Sequence, residues 1–477
     1  LEKQYYITNC NITDKTNKFI KFRKNGRFIL HTPKVERGEH DKISSLLSKN
    51  EYKSVLEIFS EIDKILSFTE CFKHYKVKNI SKKPAKEIFY GGIFGLGTNM
   101  GLHRLSNTSK GINYNTLYNT VNWYFTVENL STINKSFIQF MSKLWLPTLF
   151  LKDKELLHSS GDAKKFVVSA ESLNANFSFK YFGQNHGSSV YTFLDERQML
   201  FYTTIFSSSE RDAGYVIDGL LHNADINIDT HSTDTHGYTE IIFAICYLIG
   251  VDFAPRIKNI AAQSIFAFNK STKQILKAQH KTPILPARYI KTSVIEENWD
   301  SILRLIVTIK LRNTQASRIL RRLSSYAKQH QLHEALKEFG RIIKSIFILK
   351  YIDNVELRQQ IEKQLNKGEL SNRFSSIIFF ANNQEFTQSI TEDQEIVVQC
   401  KMIIQNLIIL WNYLMLTKLI MRCNPEKRKE IIDIIKHGSI ITWRHINLLG
   451  IYDFNNLKKA DITLDDAKEI LLYNKAA

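Results

Sequence analysis

Apolar and polar positions along the 477-residue chain recur with two different periods, and the change of period marks its organisation. From about His40 to Leu151 the spacing is helical. In SVLEIFSEIDKILSF, Val55, Ile58, Phe59, Ile62, Ile65 and Leu66 fall three and four residues apart and make one apolar stripe. GGIFGLGTNMGLHRLSN then places several glycines at a helix junction, and its near match to a GxGxxG turn lacks the preceding strand that nucleotide binding requires. Beyond Leu151 the period shortens. SVYTFL (Ser189 to Leu194) and MLFYTTIF (Met199 to Phe206) are rich in aromatic and β-branched residues, flank Asp-Glu-Arg-Gln, and predict a hairpin. Ala213, Val216, Ile217, Leu220, Leu221 and Ala224 predict a helix, DINID a short strand with Ile226 and Ile228 inward, YTEIIFAICYLIG an apolar helix, and VDFAPRI a further strand. Strands, helix, strand, helix and strand in that order describe a mixed α/β domain. After Ile260 the pattern is helical again.

The run from Met402 to Met421 has the length of a bilayer span. Gln405, Asn406, Asn412 and Lys418 interrupt it, and each would need a partner inside lipid, so a buried core helix is expected and no membrane. These patterns divide the chain into a mostly helical region 1–150, an α/β part 151–260, a helical segment 261–353, a second α/β part 354–420 and a helical region 421–477.

Composition adds that 43% apolar and 12% aromatic residues can fill a large core. Cys10, Cys71, Cys246, Cys400 and Cys423 show no Cys-x-x-Cys spacing, which argues against a disulfide framework or zinc knuckle and fits a reducing cytoplasm. The chain opens on Leu1 without a signal-peptide pattern and is expected to be a fragment. Charge changes the picture more. The net charge is +18, and Ala261 to Lys350 holds 17 Lys and Arg against 5 Asp and Glu, so two-thirds of the surplus lies in this segment. Clustered positive charge points to a polyanion, most often nucleic acid. Lys310, Thr314, Arg318, Arg321 and Arg322 have the spacing of one helical face, with the four cations as candidate DNA contacts.

Against this background NIDTHSTDTHGYTE, Asn227 to Glu240, gathers acids and imidazoles. Asp234 follows a predicted strand; Asp162, in LHSSGDAKKFVVS, precedes the strand containing Val167 and Val168; Glu369, in QLNKGELSNRF, follows Gly368 at an expected helix start. Three carboxylates from separate segments meet the needs of paired Mg²⁺ ions, which prefer oxygen and serve in-line phosphoryl displacement. A rival is a mononuclear metallohydrolase using His222, His231 and His236, although no helical His pair accompanies them.

The motifs TNMGLHRLS, SSGDAKKF, YVIDGLLHN, STDTHGYTE, FAPRIKN, LRRLSSY, ALKEFGRI, QLNKGE and WRHINLLGIY occur in this order from Thr98 to Tyr452. In them the chain resembles the catalytic part of the Tn-three family of replicative transposases. The resemblance implies an RNase-H-like mixed sheet with a large basic helical insertion and helical flanks, and it makes Asp162, Asp234 and Glu369 both catalytic and metal-binding. It implies two Mg²⁺ ions, for which Mn²⁺ can substitute. Cleavage at transposon ends would be followed by attack of the 3′-hydroxyl on target DNA. The implied partners are terminal inverted repeats, target DNA and a second copy in a full-length homodimer, in the bacterial cytoplasm at the nucleoid. His236 would orient phosphate or water, or cap a helix. Ser-Ser-Gly-Asp stands here where the family often reads Ser-Ser-Asp-Gly, with the spacing from Asp162 to Phe166 kept. The large N-terminal region expected to recognise transposon ends is mostly absent, so a non-catalytic DNA-binding remnant is the alternative.

Overall fold

Asn113, Thr126 and Thr239 each turn a side-chain oxygen onto the free N–H groups opening a helix: Asn113 accepts from Asn115 and Thr116, Thr126 from Asn129, and Thr239 from Ile242. In the computed structural model, which describes residues 1–477 apart from 24–27, 35–39, 48–51, 78–82, 223–225, 236, 282, 326–329, 458–459 and 477, these caps fix three of the helices. The elements considered below are, in chain order, α1 (Val55–Leu66), α2 (Lys86–Gly97), α3 (Leu102–Asn107), α4 (Tyr114–Tyr124), α5 (Val127–Met141), β1 (His158–Val167), β2 (Asn176–Phe177), β3 (His186–Asp195) and β4 (Leu200–Ser207). They continue with α6 (Ala213–His222), β5 (Thr230–Thr233), α7 (Glu240–Ile249), β6 (Asp252–Phe253), α8 (Trp299–Lys310), α9 (Ala316–Ser325), α10 (Gln331–Asp353), α11 (Val355–Ile378) and α12 (Thr391–Arg422).

The chain forms two units, each assembled from three segments: Leu1–Val35, Leu156–Asp162 and Arg211–Asn366 in one, Glu36–Glu155, Ala163–Glu210 and Lys367–Ala477 in the other. In the first, β5 pairs in parallel with the start of β1 and with β6. Helix α7 packs on α10 so closely that a Cβ on Gly340 would lie 1.7 Å from the carbonyl oxygen of Glu240; only glycine permits this crossing. The Glu240 carboxylate meets the Lys344 ammonium at 2.9 Å. Burial pushes the Glu240 pKa up, but Lys344 outweighs it and holds the group below the usual carboxylate value. Helix α9 turns Ala316, Leu320 and Leu323 inward, packs on α6, and donates the Ser317 N–H to Asp218 at 3.2 Å.

In the second unit α12 is central, packed on α1, α2, α5 and β4. It is long and apolar enough to cross a membrane, yet every residue from Val397 to Leu414 is buried within the protein. Its polar residues find the partners a core demands: Asn406 donates to Leu200 O at 2.8 Å and Asn412 to the carbonyls of Ile440 and Thr442 at 3.0 Å, while Lys418 meets Asp466 at 2.8 Å. The core-helix expectation is met. Strands β3 and β4 form the expected antiparallel hairpin, and β2 pairs antiparallel with β3. Phe166 and Val168 pack with Val190, Ile205, Phe379, Phe386 and Val397.

Four sequence expectations change. The strand in the DINID region is Thr230–Thr233, because backbone pairing with β1 begins only at Thr230; Ile228 is buried ahead of it and Asp229 accepts the Leu157 N–H at 2.8 Å. Asp162 lies within β1 rather than before it. Glu369 is in the body of α11, which runs through Gly368 without a break. Lys310 ends α8, whereas Arg318, Arg321 and Arg322 belong to α9; Arg312, at φ 58°, lies in the turn between them, so the basic positions do not share one helical face.

Candidate active site

The site is built on parallel register. His158, Ser159, Ser160 and Gly161 of β1 stand opposite Thr230, His231, Ser232 and Thr233 of β5. The next residue after each of these runs is an aspartate, Asp162 within β1 and Asp234 just past the end of β5, and paired strands lie about 4.8 Å apart. Alternation puts His158, Ser160 and Asp162 on one face with Thr230 and Ser232, and Ser159 with His231 on the other. Both aspartates are half-buried.

Hydroxyls and imidazoles tie this polar ladder together. On the first face the His158 ring meets Ser232 Oγ at 2.8 Å, and Ser232 Oγ donates to Ala254 O at 2.7 Å. Ser160 Oγ accepts from Gln364 Nε2 of α11 at 3.2 Å. On the second face Ser159 Oγ meets His231 Nδ1 at 2.8 Å, and the His231 ring stacks on Phe253 with centroids 6.4 Å apart. Burial, with the nearby His158 adding to it, pushes the His231 pKa down to about 3, so this imidazole is neutral at physiological pH. After β5 the chain is anchored to the segment following β6: Arg256 N–H donates to Thr233 O at 2.9 Å and Thr235 Oγ1 to Arg256 O at 3.3 Å.

The Asp234 carboxylate is oriented locally. The Gly237 N–H donates to Asp234 Oδ1 at 3.1 Å, closing a turn. A Cβ on Gly237 would come within 2.8 Å of Thr233 Cβ, so the turn closes over Thr233 only with glycine. Thr239 caps the helix that follows; His236, considered for that role, lies outside the described residues.

The structure therefore brings Asp162 and Asp234 together. Glu369 is exposed on α11, in the portion belonging to the second unit. Among the described residues no three His, Cys, Asp or Glu are grouped closely enough to hold a metal ion. Among the described residues nothing supports the histidine alternative: His231 is buried on the opposite strand face from Asp234 and bonded to Ser159, and His222 ends α6. Lys310, Arg318, Arg321 and Arg322 are all exposed. Sequence reasoning missed the hydroxyl ladder and Gln364 as supports, although the adjacent hydroxyls of SSGD and STDT signalled the ladder. Four of the motifs singled out in the sequence, around Ser160, Ser232, Ala254 and Gln364, interlock here.

Adjacent parallel strands, one containing Asp162 and the other leading into Asp234, in a mixed α/β protein with exposed cations on its helices, are consistent with the fold of a DDE domain. Residues 57–452 match the family Tn3 transposase DDE domain, and the chain belongs to that family. It is similar to the transposase for transposon Tn1546 of Enterococcus faecium, 34% identical over 84% of this chain and 40% of the relative. It is also similar to that for Tn2501 of Escherichia coli, 30% identical over 85% and 40%, and that for Tn501 of Pseudomonas aeruginosa, 27% identical over 90% and 42%. The chain spans about 40% of the length of these relatives.

Proposed function

We propose that the chain is the catalytic region of a replicative DNA transposase with an RNase-H-like core. The observation that supports the proposal is the parallel register of β1 and β5, which pairs Gly161 with Thr233, the residues just before Asp162 and Asp234. The succession of strands β1, β3 and β4, then α6, β5, α7 and β6, supports the fold reading. An all-oxygen pair suits a hard divalent cation, so Asp162 and Asp234 would hold Mg²⁺ or Mn²⁺, with Glu369 completing a second site. Two such ions, held by these residues, would supply an activated water and offset the charge on the leaving oxygen in phosphodiester hydrolysis and in transfer of the 3′-hydroxyl to target DNA.

The chain's own residues do the positioning. Gly237 holds one Asp234 oxygen, and Gln364 in the first part of α11 donates to Ser160, two residues before Asp162. Exposed Lys310, Arg318, Arg321 and Arg322 would bind the DNA backbone from two helices. Terminal inverted repeats and target DNA are the proposed substrates, with a homodimer in the longer protein.

Asp234→Asn is expected to abolish Mg²⁺-dependent nicking and strand transfer while duplex affinity stays equal or rises, because a negative charge facing phosphate is removed. Glu369→Gln should do the same. Cutting by purified Asp234→Asn would overturn the site; cutting by Glu369→Gln would remove that residue from it.

A further inference from the structure

Helix α4 carries a face that the acidic site does not use. It buries Leu117, Thr120 and Tyr124 against α2 and α3, and the segment joining α3 to α4 is held by Ser109 and Lys110, which pair in parallel with Tyr452 and Asp453. On the opposite side Asn115, Asn119 and Asn122 stand at i, i+4 and i+7, all exposed. Their side chains make no hydrogen bond among the described residues. Beside this stripe run Tyr114, Tyr118 and Trp123, exposed by 37%, 46% and 41%, a large aromatic area for a protein to leave in water.

Charge defines the occupant. Residues 88–127 contain no Asp or Glu. Cations flank both ends of the face: the His103 ring packs edge-on to Tyr114 at 5.5 Å with exposed Arg104 next to it, and the Lys76 ammonium lies 5.6 Å from the centre of the Trp123 ring, itself stacked on His74. A neutral amide stripe between two cationic ends matches the cross-section of a DNA groove, bases in the middle and phosphates on both sides. Asparagine offers a donor and an acceptor in one plane, the pairing that adenine N6 and N7 take in the major groove. From Asn115 to Asn122 the helix rises about 10 Å, roughly three stacked base pairs.

We propose that α4 is a base-reading helix that enters the major groove of duplex DNA, with Asn115, Asn119 and Asn122 on base edges and Arg104 and Lys76 on the flanking backbones. This rests on reading the chain as a protein that acts on DNA.

The test selects bound duplexes from a random-sequence pool with the parent chain, with Asn115→Ala/Asn119→Ala/Asn122→Ala and with Arg104→Ala/Lys76→Ala; all five are surface positions. The parent should enrich a short adenine-containing sequence. The asparagine variant should lose that preference, by roughly 5- to 150-fold for each amide that no longer reads a base, while its log affinity against log salt slope stays that of the parent. The cation variant should keep the preference and flatten the slope by about 0.9 for each phosphate it no longer neutralises. Identical selection by parent and asparagine variant, or parental binding without any selection, overturns the base-reading role and leaves the catalytic proposal standing. Parental failure to bind any duplex overturns both. Asp234→Asn, run in parallel, should select what the parent selects.

Discussion

Lys401 is the least conventional residue in the protein. It lies in α12 with 3% of its surface exposed, its ammonium 4.8 Å from the centre of the Phe166 ring and 5.6 Å from that of Phe379. Burial, and then the neighbouring charge of Lys164, pushes its pKa down to about 7. The unfolded chain keeps the ordinary value near 10.5, so between pH 7 and 10.5 the unfolded state binds more protons and stability rises with pH. Below pH 7 the full cost of the buried charge is present. Lys401→Met should therefore stabilise the protein by roughly 1–4 kcal/mol at pH 6 and flatten the alkaline rise, read by urea unfolding at pH 6, 8 and 9.5. An unchanged unfolding midpoint at pH 6 would mean that the ammonium is well solvated. Sequence showed none of this, because one lysine in an apolar helical run reads as a surface position. The motifs singled out Asp162 and Asp234, but the neutral state of His231 was not legible, since it depends on pairing with a strand 72 residues away.

Among elements, hairpin, apolar helices and core helix were legible because their periodicity exceeds what one turn requires. β5 was not: its residues, Thr-His-Ser-Thr, are polar, and its burial comes from β1 and β6 rather than from alternating apolar side chains. Helix α9 was misjoined to Lys310 because spacing alone cannot show the turn at Arg312. What α9 keeps is a strongly two-sided character, with Leu320 and Leu323 inward and Arg318, Arg321 and Arg322 outward. If these cations meet phosphates, Arg318→Ala/Arg321→Ala should flatten the dependence of log duplex affinity on log salt by about 0.9 per phosphate released and leave sequence preference alone. Titrations at several salt concentrations decide it; an unchanged slope assigns this face to plain solvent.

At the scale of the whole molecule, each unit holds a buried neutral imidazole. His231 is pushed down to about 3, and burial holds His445, stacked on Trp411 and 2.8 Å from Asn412 Oδ1, down to about 4. Both lie below the unfolded value of 6.5, so their contribution is complete above pH 6.5 and is lost as pH falls towards 4. Each should cost about 1.4 kcal/mol per pH unit in that window. Urea unfolding from pH 7.5 to 4.5 should show the decline, and His445→Gln should remove close to half of the histidine part; equal decline in parent and variant would place the titration elsewhere. The two interleaved units themselves left no trace in periodicity, which reports neighbours along the chain and not the return of a third segment.

The parallel pairing of β1 with β5 also sets an order of events. β5 reaches β6 across 22 residues but β1 only across 72, and closing the longer loop costs more entropy before any contact repays it. Parallel ladders of this kind are slow to form. During synthesis, β1 emerges with its serines and Asp162 and must wait for β5, so the two carboxylates become neighbours late. If the pair holds a divalent cation as proposed, tight capture would belong only to chains that have finished this step, and cation affinity measured during refolding would serve as a clock for its completion.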